Sequence, residues 1–245
     1  MTENRIIKTY ISKLDEKLGG GIPAGSVVLL VGATGTMKSS ITFYIMYKNA
    51  MMHKCNCLYI SVEQDPDKLR RQFELLGMDM DKLDKNISIL DIRRVIEKSP
   101  GGTSKLIGET ERKKIKIYET IKQRLLDMFR KKYDIIAIDS LSALKALYKI
   151  GDDDREVLNY LFELLKDQSE TTSFVIVEQL DKDLEAIVEA YIADGVFILF
   201  REKVGNKYPL KIRCKKLRYM NHSTEEFFLN YDKNRKEFEI SEVNR

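Results

Sequence analysis

Tryptophan is absent from this sequence of 245 residues, and cysteine occurs only three times. An odd, small number of cysteines does not build a disulfide framework and is typical of proteins from reducing compartments. No apolar run reaches the roughly 18 residues that a transmembrane helix needs. The N-terminal residues, MTENR, also lack the apolar stretch of a secretory signal. We therefore expect a cytoplasmic protein that does not associate with membranes.

The sequence also lacks a strong excess of charge of either sign. It contains 42 Lys and Arg residues against 38 Asp and Glu residues, a net charge of +4. This excess is too small to indicate nucleic-acid binding from bulk charge alone. The hydrophobic fraction of 43% is that of a globular chain with a sizeable core. Abundant lysine and glutamate are typical of thermophilic proteins and equally of AT-rich genomes.

Apolar runs of strand length alternate with helical patterns along the chain, without a repeat or a low-complexity linker. The alternation predicts one domain over residues 1–245, an α/β fold with a mostly parallel central sheet flanked by helices. Beyond residue 195 strand patterns follow one another, which predicts an antiparallel C-terminal edge. The predicted strands are Ser26–Val31, Leu58–Glu63, Ile87–Leu90, Ile135–Asp139, Phe174–Gln179, Val196–Phe200 and Leu210–Leu217. The predicted helices are Ser39–Met51, Asp67–Leu76, about Gly108–Lys132, Arg155–Lys166 and Leu184–Ala193.

Residues 32–39, GATGTMKS, lie between the first of these strands and a helix. We call them the phosphate loop, because they fit the P-loop pattern G-x-x-x-x-G-K-[ST] except at Met37, where the pattern has glycine. Lys38 is expected to reach the β- and γ-phosphates, and the Ser39 hydroxyl to bind Mg²⁺. A positive φ at Met37 costs about 1–2 kcal/mol. The residues expected to contact the nucleotide are Thr34, Gly35, Thr36, Met37, Lys38, Ser39 and Ser40.

Polar residues end three further strands. Asp139 follows four apolar residues, the Walker B form that holds Mg²⁺. Glu63 is placed to orient or deprotonate an attacking water, and Gln179 to sense the γ-phosphate. Ligands of open parallel sheets bind at the carboxyl ends of the strands. Together with the phosphate loop, these residues predict an ATPase with ATP and Mg²⁺ as cofactors.

The order of these elements, with residues 14–25 (LDEKLGGGIPAG) before the first strand, resembles the KaiC-like branch of the RecA/RadA ATPases. The resemblance covers nearly the whole chain and implies a RecA-like P-loop fold and a homo-oligomer, expected as a hexameric ring. Glu63 and Gln64 are similar to the catalytic-glutamate segment of the family, with Gln64 in place of the second glutamate. The resemblance implies a nucleotide-driven switch with a protein partner that the sequence does not identify.

The segment 216–222 (KLRYMNH) is similar to the Lys-x-Arg segment of the same family. The resemblance implies that Lys216 and Arg218 reach the γ-phosphate on the neighbouring subunit and assist catalysis there. It also implies that His222 contacts the nucleotide. These assignments carry over from the family and do not follow from spacing.

Two other functions stay open at this point. Met37 and Gln64 also suit an ATP sensor that barely hydrolyses its nucleotide. A recombination or repair accessory ATPase is the other alternative, although segments 151–154 and 181–185 are acidic where RecA-like filaments bind DNA, which disfavours nucleic acid. His53, Cys55 and Cys57 are interpreted as core or rim residues, because a structural zinc site normally needs four ligands.

Overall fold

A computed structural model describes residues 5–83, 85–93, 131–148, 155–167, 170–179 and 188–243, with positions 123 and 127. The helices are α1 (Leu14–Lys17), α2 (Lys38–His53), α3 (Pro66–Leu75), α4 (Leu141–Tyr148) and α5 (Arg155–Asp167). The strands are β1 (Ile6–Ile7), β2 (Ile22–Pro23), β3 (Val27–Gly32), β4 (Cys57–Ser61), β5 (Ile87–Asp91), β6 (Ile135–Asp139), β7 (Thr172–Glu178), β8 (Gly195–Arg201), β9 (Leu210–Leu217), β10 (Glu226–Asp232) and β11 (Glu237–Glu242).

Within these described residues, one mixed sheet has the strand order β11-β10-β9-β8-β3-β7-β6-β4-β5. The pairs from β8 to β5 are parallel, and β8, β9, β10 and β11 pair antiparallel. This arrangement confirms the predicted α/β fold with its antiparallel C-terminal edge. The strand that leads into the phosphate loop, β3, lies between β7 and β8.

Side chains cover both faces of the central strands, which explains their uninterrupted apolar sequence. All six residues of β3 are buried. On one face α2 and α3 pack on the sheet, where the rings of Phe43 and Phe73 stack with centroids 3.7 Å apart and Tyr59 meets Phe73 edge-on. On the other face Leu29 and Val31 share a buried cluster with Phe162 of α5. The sheet is therefore a rigid platform for the loops at its carboxyl edge.

One predicted helix is wrong in the part that the structure describes. Residues Val188–Tyr191 form a 3₁₀ turn rather than the end of an α-helix over Leu184–Ala193. The carbonyl groups of Ala190 and Ala193 accept hydrogen bonds from the Lys216 ammonium group. These carbonyl groups are thus bonded to a distant strand. The predicted helix over about Gly108–Lys132 lies outside the described residues, apart from isolated positions.

Among the helices that the structure describes, none is long and apolar enough to cross a membrane. The three cysteines, Cys55, Cys57 and Cys214, are buried free thiols. In the same described part of the chain, no group of three or more His, Cys, Asp or Glu side chains is arranged to hold a metal ion. The interpretation of His53, Cys55 and Cys57 as core or rim residues is confirmed for both thiols.

Candidate functional site

The phosphate loop connects β3 to α2 by a turn that depends on glycine at two positions. A Cβ atom on Gly32 would lie 2.2 Å from the Leu199 carbonyl oxygen of β8, so a larger residue does not fit there. Gly35 has a φ of 82°, a conformation that favours glycine. The Thr36 hydroxyl donates a hydrogen bond to the Ala33 carbonyl oxygen at 2.7 Å. The loop is thus held in a tight turn directly before the N-terminus of α2, where backbone N–H groups bind anions.

Met37 adopts the backbone conformation that the pattern reserves for glycine. It is the N-cap residue of α2, with φ 62° and ψ 20°. Its side chain is partly buried and packs against the core cluster on the α2 side of the sheet. The left-handed conformation costs a non-glycine residue about 1–2 kcal/mol. The loop therefore keeps its geometry, and the methionine side chain contributes to the core.

Lys38 is the buried cation of the loop, with only 5% of its surface exposed. Its ammonium group donates to the carbonyl oxygens of Gly32 at 2.9 Å and Ala33 at 2.8 Å. Glu178 Oε1 lies 3.9 Å from the same nitrogen. Burial lowers the pKa of Lys38, while the charges of Glu178 and Asp139 oppose that shift. Lys38 is therefore placed among the phosphate-loop carbonyls and two carboxylates.

The structure brings the two predicted magnesium ligands together. Ser39, in the first turn of α2, lies close enough to the Asp139 carboxylate at the end of β6 to stabilise its charged form. The hydroxyl of the fully buried Tyr59 also donates to Asp139 Oδ2. Burial raises the pKa of Asp139, and the hydrogen bonds with Tyr59 and Ser39 lower it. A hydroxyl and a carboxylate are the oxygen ligands that Mg²⁺ prefers, so the residues present fit this ion.

Glu63 lies beyond the strand to which the sequence assigned it. β4 ends at Ser61, and Glu63 and Gln64 are exposed in the turn that follows. The Ser61 hydroxyl donates to the Gln64 carbonyl oxygen at 2.7 Å and accepts from the Gln64 amide at 3.1 Å. Within the described part of the chain, no hydrogen bond or salt bridge joins Glu63 to Lys38 or Asp139. Glu63 therefore lies at the carboxyl ends of the parallel strands, as the phosphate loop does, but is not bonded to Lys38 or Asp139 in the part of the chain that the structure describes.

The end of β7 supplies a residue that the sequence analysis missed. The backbone N–H of Gln179 donates to the Gly32 carbonyl oxygen at 3.2 Å, which places Gln179 beside the phosphate loop. The preceding residue, Glu178, is the one whose side chain approaches Lys38. The pairing of Gly32 with Glu178 between β3 and β7 sets this position. A single sequence does not reveal strand register; the only available signal was that Glu178 is the charged residue that ends the buried strand β7.

Lys216 and Arg218 lie near the amino ends of the parallel strands, whereas the phosphate loop lies at their carboxyl ends. The residue between them, Leu217, pairs with Gly195 at the start of β8, whereas Gly32 pairs with Leu199 further along the same strand. These two levels of β8 are roughly 13 Å apart at the usual rise per residue. In one chain the two cations therefore do not meet their own phosphate loop.

Both cations are engaged within the chain. The Lys216 ammonium group donates to the carbonyl oxygens of Ala190 at 2.9 Å and Ala193 at 2.6 Å. Arg218 Nη1 lies 3.2 Å from Asp194 Oδ1. Burial lowers the pKa of Lys216, and the charge of Arg218 lowers it further.

His222 lies in the connection between β9 and β10, also away from the phosphate loop of its own chain. Its Nδ1 is 3.3 Å from the Met220 carbonyl oxygen. Its Nε2 is buried and has no hydrogen-bond partner among the residues that the structure describes. The next residue, Ser223, donates its N–H to the Lys17 carbonyl oxygen of α1. The segment is thus anchored on the C-terminal end of α1.

Comparisons with known proteins agree with this geometry. A family model described as "ATPase: KaiC" matches residues 7–240. A circadian clock oscillator protein KaiC from Picosynechococcus sp. is 26% identical over 227 residues, which are 90% of this chain and 42% of that protein. A UPF0273 protein from Methanocaldococcus jannaschii is 29% identical over 140 residues, 56% of this chain and 57% of that protein. The chain thus spans about two-fifths of the length of the KaiC relative.

A solved structure has the same fold. The crystal structure of a KaiC-like protein from the hyperthermophilic archaeon Pyrococcus horikoshii OT3 matches with a TM-score of 0.73. The match covers 97% of this chain and 99% of that one, at 22% sequence identity. At this identity, the match establishes the fold alone.

Proposed function

This chain belongs to the KaiC ATPase family, and we propose that it is a magnesium-dependent ATPase that acts as a nucleotide-driven switch in an oligomeric ring. The single observation that carries this proposal is the group of Lys38, Ser39 and Asp139 at the carboxyl edge of the sheet. A cation, a hydroxyl and a carboxylate lie together there at the N-terminus of α2, where backbone N–H groups favour anions. Family membership supports nucleotide binding, and this group supports its magnesium dependence.

In the proposed mechanism each residue has a separate task. The phosphate loop binds the phosphates through its N–H groups, and Lys38 leaves the Gly32 and Ala33 carbonyls to contact the β- and γ-phosphates. Ser39 and Asp139 hold Mg²⁺, which when bound neutralises charge on the phosphates. Glu63 orients the attacking water.

Gln179 senses whether the γ-phosphate is present, since its backbone bonds directly to the loop.

The remaining cations of the site come from a second copy of the chain in this proposal. Lys216 and Arg218 lie on the edge opposite to the phosphate loop, so a head-to-tail contact brings them to the nucleotide of a neighbour. His222 follows in the same segment. An arginine supplied in this way stabilises the negative charge of the transferring phosphoryl group. A hexameric ring satisfies every such contact without leaving a free end.

Thermal unfolding tests the nucleotide site directly. ATP with Mg²⁺ at about a hundred times its Kd stabilises the fold by about 2.7 kcal/mol, which raises the melting temperature by roughly 5–10 °C. We expect Lys38→Ala to abolish this ligand-induced rise. Lys82→Ala serves as the control, because Lys82 is an exposed cation paired with Asp79 away from the loop. An unchanged rise in Lys38→Ala would show that the phosphate-loop assignment is wrong.

A second candidate, an ATP sensor with little hydrolysis, is favoured by the exposed Gln64 in place of a glutamate. The rate of phosphate release separates the two. Background hydrolysis together with an intact thermal shift would identify the sensor. Stimulation of the rate by single-stranded DNA would instead favour the accessory ATPase of recombination or repair.

A further inference from the structure

Glu178 has no task in the mechanism above, although its side chain is the carboxylate nearest to the phosphate-loop lysine in the described ion pairs. Its Oε1 lies 3.9 Å from Lys38 Nζ, and 39% of its side chain remains exposed. Asp139 acts on the same ammonium group from β6. One cation therefore faces two carboxylates, those of Glu178 and Asp139. The proposed magnesium site gives Asp139 a role and leaves Glu178 without one.

The backbone of Glu178 is held firmly in this position. It pairs with Gly32 in the central β3–β7 ladder. Its N–H donates to the Ser142 hydroxyl of α4 at 2.9 Å. The strand pairing and the hydrogen bond to α4 thus fix the backbone position from which the Glu178 side chain extends.

A triphosphate that enters the loop brings negative charge to the position where Lys38 now lies. The negative charges of the triphosphate and of Glu178 would then lie close together, and such charges repel strongly in a partly desolvated site. Bound Mg²⁺ removes roughly half of the negative charge of the triphosphate, so the repulsion falls mainly on the metal-free nucleotide.

We propose that Glu178 makes the phosphate loop discriminate between magnesium-bound and metal-free nucleotide, so that only the magnesium complex binds tightly. This inference rests on the proposed function, since it concerns the same site. Glu178 is a specificity-determining residue in this account and takes no part in the chemical step.

Isothermal titration calorimetry with a non-hydrolysable ATP analogue, in excess Mg²⁺ and in EDTA, tests the proposal. We expect Glu178→Gln to raise the affinity for the metal-free analogue about tenfold and to change the affinity for the magnesium complex less than about twofold. Glu178→Asp keeps the charge and should keep the wild-type ratio. Glu226→Gln is the matched control, because Glu226 lies 3.1 Å from Lys211, another buried lysine, in β9.

The outcomes separate the inference from the proposed function. A wild-type chain that binds neither form of the analogue overturns both. Tight binding of the magnesium complex with an equal affinity ratio in wild type and Glu178→Gln overturns only the role of Glu178. A selective loss of the magnesium complex in Glu178→Gln would also overturn it, because Glu178 would then be a magnesium ligand. Melting temperatures of the apo variants establish that each one folds.

Discussion

Met37 combines a strained backbone with a packed side chain, and the two effects are separable by substitution. Its φ of 62° disfavours any residue with a Cβ atom, while its side chain contacts the core. Met37→Ala loses the packing and keeps the strain, whereas Met37→Gly loses both. We expect the glycine variant to be more stable than the alanine variant by about 1 kcal/mol.

Urea unfolding followed by circular dichroism measures this difference. Lys54→Ala and Lys54→Gly form the control pair for the backbone effect. Lys54 has a similar φ of 56° at the C-cap of α2, but its side chain is exposed. Equal stabilities of the two Met37 variants would contradict the strain.

Burial makes the three thiols poorly reactive towards alkylating reagents. Burial raises the pKa of Cys214 to about 12 and also raises the pKa of Cys55 and Cys57. Since the thiolate is the reactive form, we expect iodoacetamide at pH 8 to leave the native protein unmodified. After unfolding in urea all three should react, as counted by mass spectrometry. Rapid labelling of Cys214 in the native state would contradict its burial.

At the scale of elements, α3 depends on a well-formed N-terminus. Asp65 is its N-cap and accepts a hydrogen bond from the Asp67 N–H at 2.9 Å, with Pro66 in the first turn. Asp65→Ala should lower the free energy of unfolding by about 1 kcal/mol, because one orphan N–H loses its acceptor. Asp65→Asn keeps an acceptor and should cost much less. Chemical denaturation of both variants measures the effect, and equal losses would exclude capping as the cause.

The sequence predicted the helices and strands whose formation follows from local residue patterns. β9 has the predicted bounds of Leu210–Leu217, and α2 differs from its prediction only at its ends. The strands β10 and β11 were missed, although they pair along the edge of the sheet. The 3₁₀ turn at Val188–Tyr191 was also missed, and one of its carbonyl groups, that of Ala190, bonds to Lys216, which is distant in sequence.

The site shows the same division between local and distant information. Lys38, Ser39 and Asp139 were predicted from motifs, and the structure brings them together. Glu178 was not selected, since only the β3–β7 register places its side chain at the loop. The strand that was predicted to end at Glu63 ends at Ser61, and the Ser61 hydroxyl bonds to the backbone of Gln64 in the turn that follows. Hydrogen bonds between segments are therefore what a single sequence does not reveal.

At the scale of the whole molecule, we propose that residues from the two opposite ends of the parallel strands form one catalytic site across neighbouring subunits. Arg218→Ala and Glu63→Ala should each bind ATP and lose hydrolysis, by about 10³-fold or more for the arginine. In an equimolar mixture roughly a quarter of the head-to-tail interfaces pair two intact residues, so activity should return in part.

Phosphate release from the mixture, with light scattering to measure assembly in ATP, tests this prediction. Arg235→Ala is the control, since Arg235 is an exposed arginine paired with Asp232 and Glu239 at the β10–β11 hairpin. An inactive mixture, together with a wild-type chain that hydrolyses ATP as a monomer, would exclude catalysis across subunits.

The central position of β3 also has a consequence for biosynthesis. Val27 pairs with Ser173, and Val28 pairs with Gly195, so both neighbours of β3 emerge from the ribosome long after it. Until they do, an entirely apolar strand waits without partners, in a state prone to aggregation. Pairings this distant along the chain also slow folding, because a large loop must close first. The nascent chain therefore acquires its phosphate loop only when synthesis has passed β8.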